Sequence, residues 1–181
     1  LRPLSMFAER VYRDDPCTCF LPQILDKNIY DAVDPKLAAK MHKAITVIQF
    51  KVEGQITKRH PDYQINDRIH LEHINFEKGT VNIHGKDYKM LDMNFPTIDP
   101  KDPLKLTKEE QELIHNLALS FHHSETLHRH IRFVYSHGAM YKRCNGNLLY
   151  HGCIPLKKDG SFDDIVFYGI PYSGKALMDF V

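Results

Sequence analysis

Asn145-Gly146-Asn147-Leu148-Leu149-Tyr150-His151-Gly152-Cys153-Ile154-Pro155-Leu156 joins a turn signal, an apolar strand and a candidate metal ligand in one short run. Asn-Gly is the strongest short-range hairpin signal, because a two-residue type I′ turn needs φ > 0 at both central positions. Two strands are therefore expected, one over residues 139–143 and one over 148–150. The second is apolar on both faces, the pattern of a strand covered on two sides, so the hairpin reads as core. Alternation puts Leu149 and His151 on one face and Leu148 and Tyr150 on the other. Gly152 removes a side chain that would crowd a ligand, and Pro155 ends regular pairing. An imidazole held at such a strand end suits metal binding. The local pattern alone favours a half-buried histidine bonded to a carbonyl.

Working outward, Lys157-Lys158-Asp159-Gly160 reads as another hairpin turn leading into a strand over Ile165, Val166 and Phe167. Residues 169–174 read as a loop, and Lys175-Ala176-Leu177-Met178-Asp179-Phe180 as the start of a helix. Upstream, Ile131-Arg132-Phe133-Val134-Tyr135 has strand composition. Residues 131–181 are thus expected to form an antiparallel strand segment.

Residues 1–130 read as mainly helical with a small hairpin. Leu4, Phe7, Ala8 and Val11 share one helical face, stopped by Asp14-Asp15-Pro16. Pro35 opens a long helix whose stripe runs through Leu37, Met41, Ala44, Ile45, Ile48 and Val52, reaching about His60 despite Gly54. His42 falls off that stripe. Residues 79–91 predict a surface hairpin turning at Gly85-Lys86, and three prolines make residues 94–103 an irregular connector. Thr107 and Glu110 form a capping box for a helix running to about Phe121. The fold class expected is α+β.

The chain has 181 residues, 43% hydrophobic, with 24 Lys and Arg against 23 Asp and Glu, enough for a substantial core but no broad basic field. Nucleic acid and anionic membrane are not indicated as partners. No apolar run approaches the roughly 20 residues that span a bilayer, and no leader resembles a signal peptide. Cys17, Cys19, Cys144 and Cys153 lack paired Cys-x-x-Cys spacing, which argues for cytoplasmic thiols over a zinc ribbon. His115, His122, His123, His128 and His130 crowd together, but His122 and His123 point about 100° apart on a helix. Only a bend after Ser124 would let His123, His128 and His130 converge.

Five segments carry a family resemblance: Leu1-Arg2-Pro3-Leu4, Asp14-Asp15-Pro16, residues 39–45 (Ala-Lys-Met-His-Lys-Ala-Ile), residues 94–103 (Asn-Phe-Pro-Thr-Ile-Asp-Pro-Lys-Asp-Pro) and residues 145–155. In that order they resemble class III fructose-1,6-bisphosphatase, of the calcineurin-like metallophosphoesterase superfamily. His151-Gly152-Cys153-Ile154-Pro155 is similar to the superfamily segment His-Gly-Gly-Leu-Ser-Pro, whose histidine binds metal. The resemblance implies that His151 is a metal ligand and that the strands belong to a two-sheet core flanked by the helical insertion. It further implies a dinuclear Mn2+ centre, a sugar bisphosphate substrate and a cytoplasmic role in gluconeogenesis. Lys142 and Arg143 are candidates to meet the substrate's second phosphate, although alternation lets at most one point inward. His137, before Gly138, is either a neighbour of that site or an ordinary turn residue. The superfamily's Asp-x-His, Gly-Asp-x-x-Asp, Gly-Asn-His-Asp/Glu and Gly-His segments are absent. The expectation is an internal piece of a longer enzyme, inactive alone.

Two other readings compete. The stripe over residues 37–52 could serve a regulatory or homo-oligomerisation domain, and the histidine cluster a metal-binding module.

Overall fold

The computed structural model describes residues 2–23 and 34–181 and resolves two compact units, Leu1–Phe121 and His122–Val181. The first unit is built on helix α2 (Pro35–Arg59). Asp34 caps it, its carboxylate accepting the Lys36 N–H at 2.9 Å, and Pro35 supplies the preset φ of a first helical residue. Helix α1 (Arg2–Val11) buries Leu4, Phe7 and Ala8 against it, on the face expected.

Two apolar clusters flank α2. One gathers Leu4, Phe7, Ala8, Tyr12, Cys17, Ala39, Ala44, Ile48 and Leu113; the other gathers Val47, Ile69, Leu71, Ile98 and Leu104. The buried arc is therefore wider than the stripe read from sequence. It takes in Lys43, Lys51, Gly54 and Thr57, while Met41, Ile45 and Val52 pack at its margin. Packed this way, the stripe lies inside its own unit.

Gly54 has a reason beyond tolerance. A Cβ there would lie 2.6 Å from Leu104 Cδ2, so the missing side chain lets the second cluster approach the helix.

Strands β1 (Ile74–Asn75), β2 (Thr80–Ile83) and β3 (Lys86–Lys89) form an antiparallel sheet in that order. The expected hairpin is there. Ile83 pairs with Lys86, so the turn is His84-Gly85, one residue earlier than expected, and β1 is too short to show a period. Residues 94–103 are irregular apart from one bridge between Asp99 and Asp102. The capping box of α3 (Lys108–His122) is complete: Thr107 N–H donates to Glu110 Oε2 at 2.8 Å, and Glu110 N–H to Thr107 Oγ1 at 3.2 Å.

The second unit opens on a helix where a strand is expected. Residues 131–135, expected as a strand, lie inside helix α4 (Glu125–His137), and a division at residue 130 would cut that helix. Isoleucine, phenylalanine, valine and tyrosine favour strands, but that preference is weak beside a good nucleus. Here Ser124 Oγ accepts the Leu127 N–H at 3.3 Å. Leu127, Ile131 and Val134 also keep helical spacing.

Strands β4 (Tyr141–Cys144) and β5 (Asn147–Tyr150) then form the Asn145-Gly146 hairpin, with φ of 51° and 77° at the two turn residues. That turn is as read. Strands β6 (Ile165–Phe167) and β7 (Ile170–Tyr172) form a second hairpin, followed by α5 (Gly174–Phe180). Strand β7 had been expected as loop; it pairs Val166 with Pro171, and proline is tolerated because only one neighbour is needed.

The β4–β5 hairpin is not core within this chain. Leu148, Leu149 and Tyr150 are 51%, 57% and 50% exposed, and no further strand pairs with the two among the described residues. In the whole second unit only Gly174 and Leu177 are buried among the described residues. The architecture is α+β, helices with small antiparallel sheets. Among the described residues no helix is long and apolar enough to cross a membrane.

Candidate functional site

His151 lies one residue past β5, where its N–H still donates to Met140 O at 3.3 Å and so continues the ladder by one step. The ring is exposed. Gly152 follows with φ of +79°, and no described atom comes within 4 Å of where its Cβ would be. Glycine there serves the left-handed backbone rather than relieving crowding inside this chain.

An exposed imidazole beside open backbone can coordinate a divalent cation, but one nitrogen donor is not a metal centre. Among the described residues no three His, Cys, Asp or Glu side chains converge as ligands. The donor chemistry at His151 therefore fits a single ligand and not a whole centre among the described residues.

Lys142 and Arg143 are both exposed on β4. The register pairs Lys142 with Leu149 and Arg143 with Leu148, so the two cations occupy opposite faces, as alternation requires. His137 stacks on Phe133 at 4.5 Å, and its Nδ1 lies 2.7 Å from Ser136 Oγ at the end of α4.

The helix breaks at His123-Ser124, and among the described residues the histidines form no group of three ligands. His122, His123 and His128 line an open hollow of about 400 Å3 with Glu125, Thr126, Arg129 and Arg132. All four cysteines are free thiols.

The charged groups most tightly built into the fold were not singled out by sequence reading. Lys43 is fully buried in the first unit, with its Nζ 2.6 Å from both Asp15 Oδ2 and Asp92 Oδ2. Asn94 Nδ2 donates to the same Asp15 oxygen at 2.8 Å. The Tyr12 and Phe95 rings lie 5.2 and 5.4 Å from the ammonium. Burial works against the Lys43 charge, but hydrogen bonds to the two carboxylates outweigh it and hold its pKa above the ordinary lysine value. Asp15 behaves conversely: burial raises it, but bonds from Lys43 and the Cys17 N–H bring it below the usual carboxylate range.

A second buried pair joins Lys51 to Glu110 at 2.8 Å, with Lys51 also donating to Thr97 O at 2.6 Å. Burial, then the charge of Asp15, pushes the Cys17 thiol up to about 11, leaving it protonated and a poor nucleophile. The signal for these lysines was available. Lys43 and Lys51 are spaced by fours with Ala39 and Val47 on the packed face of α2, where an unpaired lysine would be costly.

Asp15, Lys43 and Asn94 come from three of the five segments that carry the family resemblance, and they meet at this one buried junction. A fourth segment forms the His151 hairpin. The chain belongs to the Firmicute fructose-1,6-bisphosphatase family, whose model matches residues 1–181. Among its relatives are class 3 fructose-1,6-bisphosphatases of Clostridium novyi (strain NT), 52% identical over 179 residues, and Alkaliphilus metalliredigens (strain QYMF), 54% identical over 181 residues. That of Listeria innocua is 49% identical over 179 residues. Each alignment covers 99% of this chain and 27% of the relative, so the chain spans about a quarter of the length of the curated relatives it matches. No solved structure matches it.

Proposed function

We propose that this chain is part of a metal-dependent fructose-1,6-bisphosphatase that hydrolyses fructose 1,6-bisphosphate to fructose 6-phosphate and phosphate, in the cytoplasm and in gluconeogenesis. The family match across residues 1–181 carries the proposal. In this reading the hairpins of the second unit are pieces of a two-sheet metallophosphoesterase core completed by the remainder of a longer polypeptide. Their exposure supports it: strands apolar on both faces need cover on both faces.

His151 donates one imidazole nitrogen to a dinuclear Mn2+ centre. A divalent metal supplies, when bound, the charge that polarises a phosphoryl group and acidifies the attacking water. The ladder bond to Met140 fixes the backbone of His151, and the adjoining glycine leaves its approach open. Lys142 is better placed than Arg143 to face the substrate's second phosphate, since it pairs with Leu149, two residues from His151 on the same side of the strand.

Ala44 and Ile48 of the α2 stripe are buried within the first unit, which favours an internal role for it over the oligomerisation reading. The test uses a full-length polypeptide containing this chain. His151→Ala is expected to abolish Mn2+-dependent phosphate release and weaken Mn2+ binding; unchanged activity and affinity would remove His151 from the site.

A further inference from the structure

We infer that Tyr141, anchored by Asp179 of α5, is a positioning residue for His151. The inference rests on the reading of His151 as a metal ligand. Tyr141 begins β4 and pairs with Tyr150, the residue before His151, while Met140 receives the His151 N–H. The candidate ligand thus sits at the open end of a two-stranded hairpin. Isolated hairpins are marginal in water, and their open ends lack the turn that fixes the other end. A ligand held only by such an end would wander beyond the roughly 0.5 Å that a functional site tolerates.

Tyr141 supplies the missing restraint. Its Oη donates to Asp179 Oδ1 at 2.9 Å, the other Asp179 oxygen pairs with Lys175, and the Lys175 ammonium lies 5.8 Å from the Tyr141 ring centre. Helix α5 is itself anchored independently. Phe180 stacks on Tyr172 at 4.3 Å and lies 5.1 Å from Phe167, and Leu177 is one of the unit's two buried residues. The second hairpin therefore holds α5, and α5 holds the end of the first hairpin from which His151 projects. The Tyr141 side chain links them, through its hydroxyl and its ring.

The test is Mn2+ titration of the full-length polypeptide by calorimetry, with the free ion followed by electron paramagnetic resonance. Tyr141→Phe and Asp179→Ala are each expected to weaken Mn2+ binding about 3- to 10-fold, less than the 10- to 100-fold typical of a group bonded directly to a ligand. The double variant is expected to be no weaker than either single one, because both remove the same bond. Asp179→Asn keeps an accepting oxygen and is expected to bind nearly as the unchanged chain does. If Tyr141→Phe leaves Mn2+ affinity unchanged while His151→Ala weakens it, the positioning role is overturned and the ligand reading survives. If His151→Ala also has no effect, the ligand reading fails and takes this inference with it. Asp179→Asn as weak as Asp179→Ala would overturn the hydrogen-bond tether.

Discussion

Lys43 Nζ lies 2.6 Å from Asp15 and 2.6 Å from Asp92, tying the segment after α1 and the segment before the proline-rich connector to the middle of α2. Both carboxylates depend on one ammonium. Removing it leaves Asp15, 5% exposed at its side chain, as a buried charge without its cation. Lys43→Met is therefore expected to destabilise the first unit by about 3–5 kcal/mol, the range for breaking a buried pair from one side. Asp92→Asn is expected to cost less, because Asp92 is 18% exposed and water can share the load. Urea unfolding followed by circular dichroism measures both. A loss on Asp92→Asn as large as that on Lys43→Met would contradict this ranking.

The same junction gives a pH dependence whose sign is fixed. Asp15 has a folded-state pKa below its ordinary value, so its stabilisation is present above the unfolded carboxylate pKa and is lost as pH falls through the folded one. Lys43 has a raised folded-state pKa, so its share is present below the ordinary lysine value and is lost as pH rises through the folded value. The network is thus at full strength across neutral pH. Compared with Asp15→Asn, the unchanged chain is expected to be more stable at pH 6, with the gap closing as acid protonates Asp15. Thermal melts of both proteins from pH 6 to strong acid test this; a gap that widens in acid would contradict it.

Gly54 invites a stabilising alanine on helix propensity alone, worth about 1 kcal/mol. The contact with Leu104 decides otherwise. A Cβ 2.6 Å from Leu104 Cδ2 must displace a side chain that is 5% exposed and packed in the second cluster. Such overpacking costs roughly 1–3 kcal/mol, so Gly54→Ala is expected to be neutral or destabilising. In a Leu104→Ala background the clash disappears, and the same substitution is expected to stabilise by about 1 kcal/mol. A double-mutant cycle by denaturant unfolding reads the reversal directly.

What could be read from the sequence was local. The Asn145-Gly146 turn, the Pro35 helix start and the Thr107–Glu110 box each depend on residues within a few positions of one another, and each formed. Lys43 and Lys51 were passed over because their partners lie far away in the chain, 28 and 49 residues for Asp15 and Asp92 and 59 for Glu110. Residues 131–135 have strand composition, but the helical spacing of Leu127, Ile131 and Val134 prevails over it. Leu148 and Leu149 carry the pattern of a two-sided environment, while these described residues build no layer over them. At the candidate site, position was legible and role was not. Local pattern placed His151 at a strand end, and only the family resemblance implied that it is a ligand.

The 181-residue chain by itself is expected to turn over no fructose 1,6-bisphosphate with Mn2+ present. Two cations close enough to act on one phosphoryl group need several converging donors, and His151 is one imidazole on an exposed hairpin end. The described residues gather no set of three ligating His, Cys, Asp or Glu groups around it or elsewhere. Phosphate release by the purified chain, compared with that of a full-length polypeptide under identical Mn2+, decides the matter. Turnover by the short chain that His151→Ala removes would mean that the ligand set closes within these residues, in an arrangement other than the one seen.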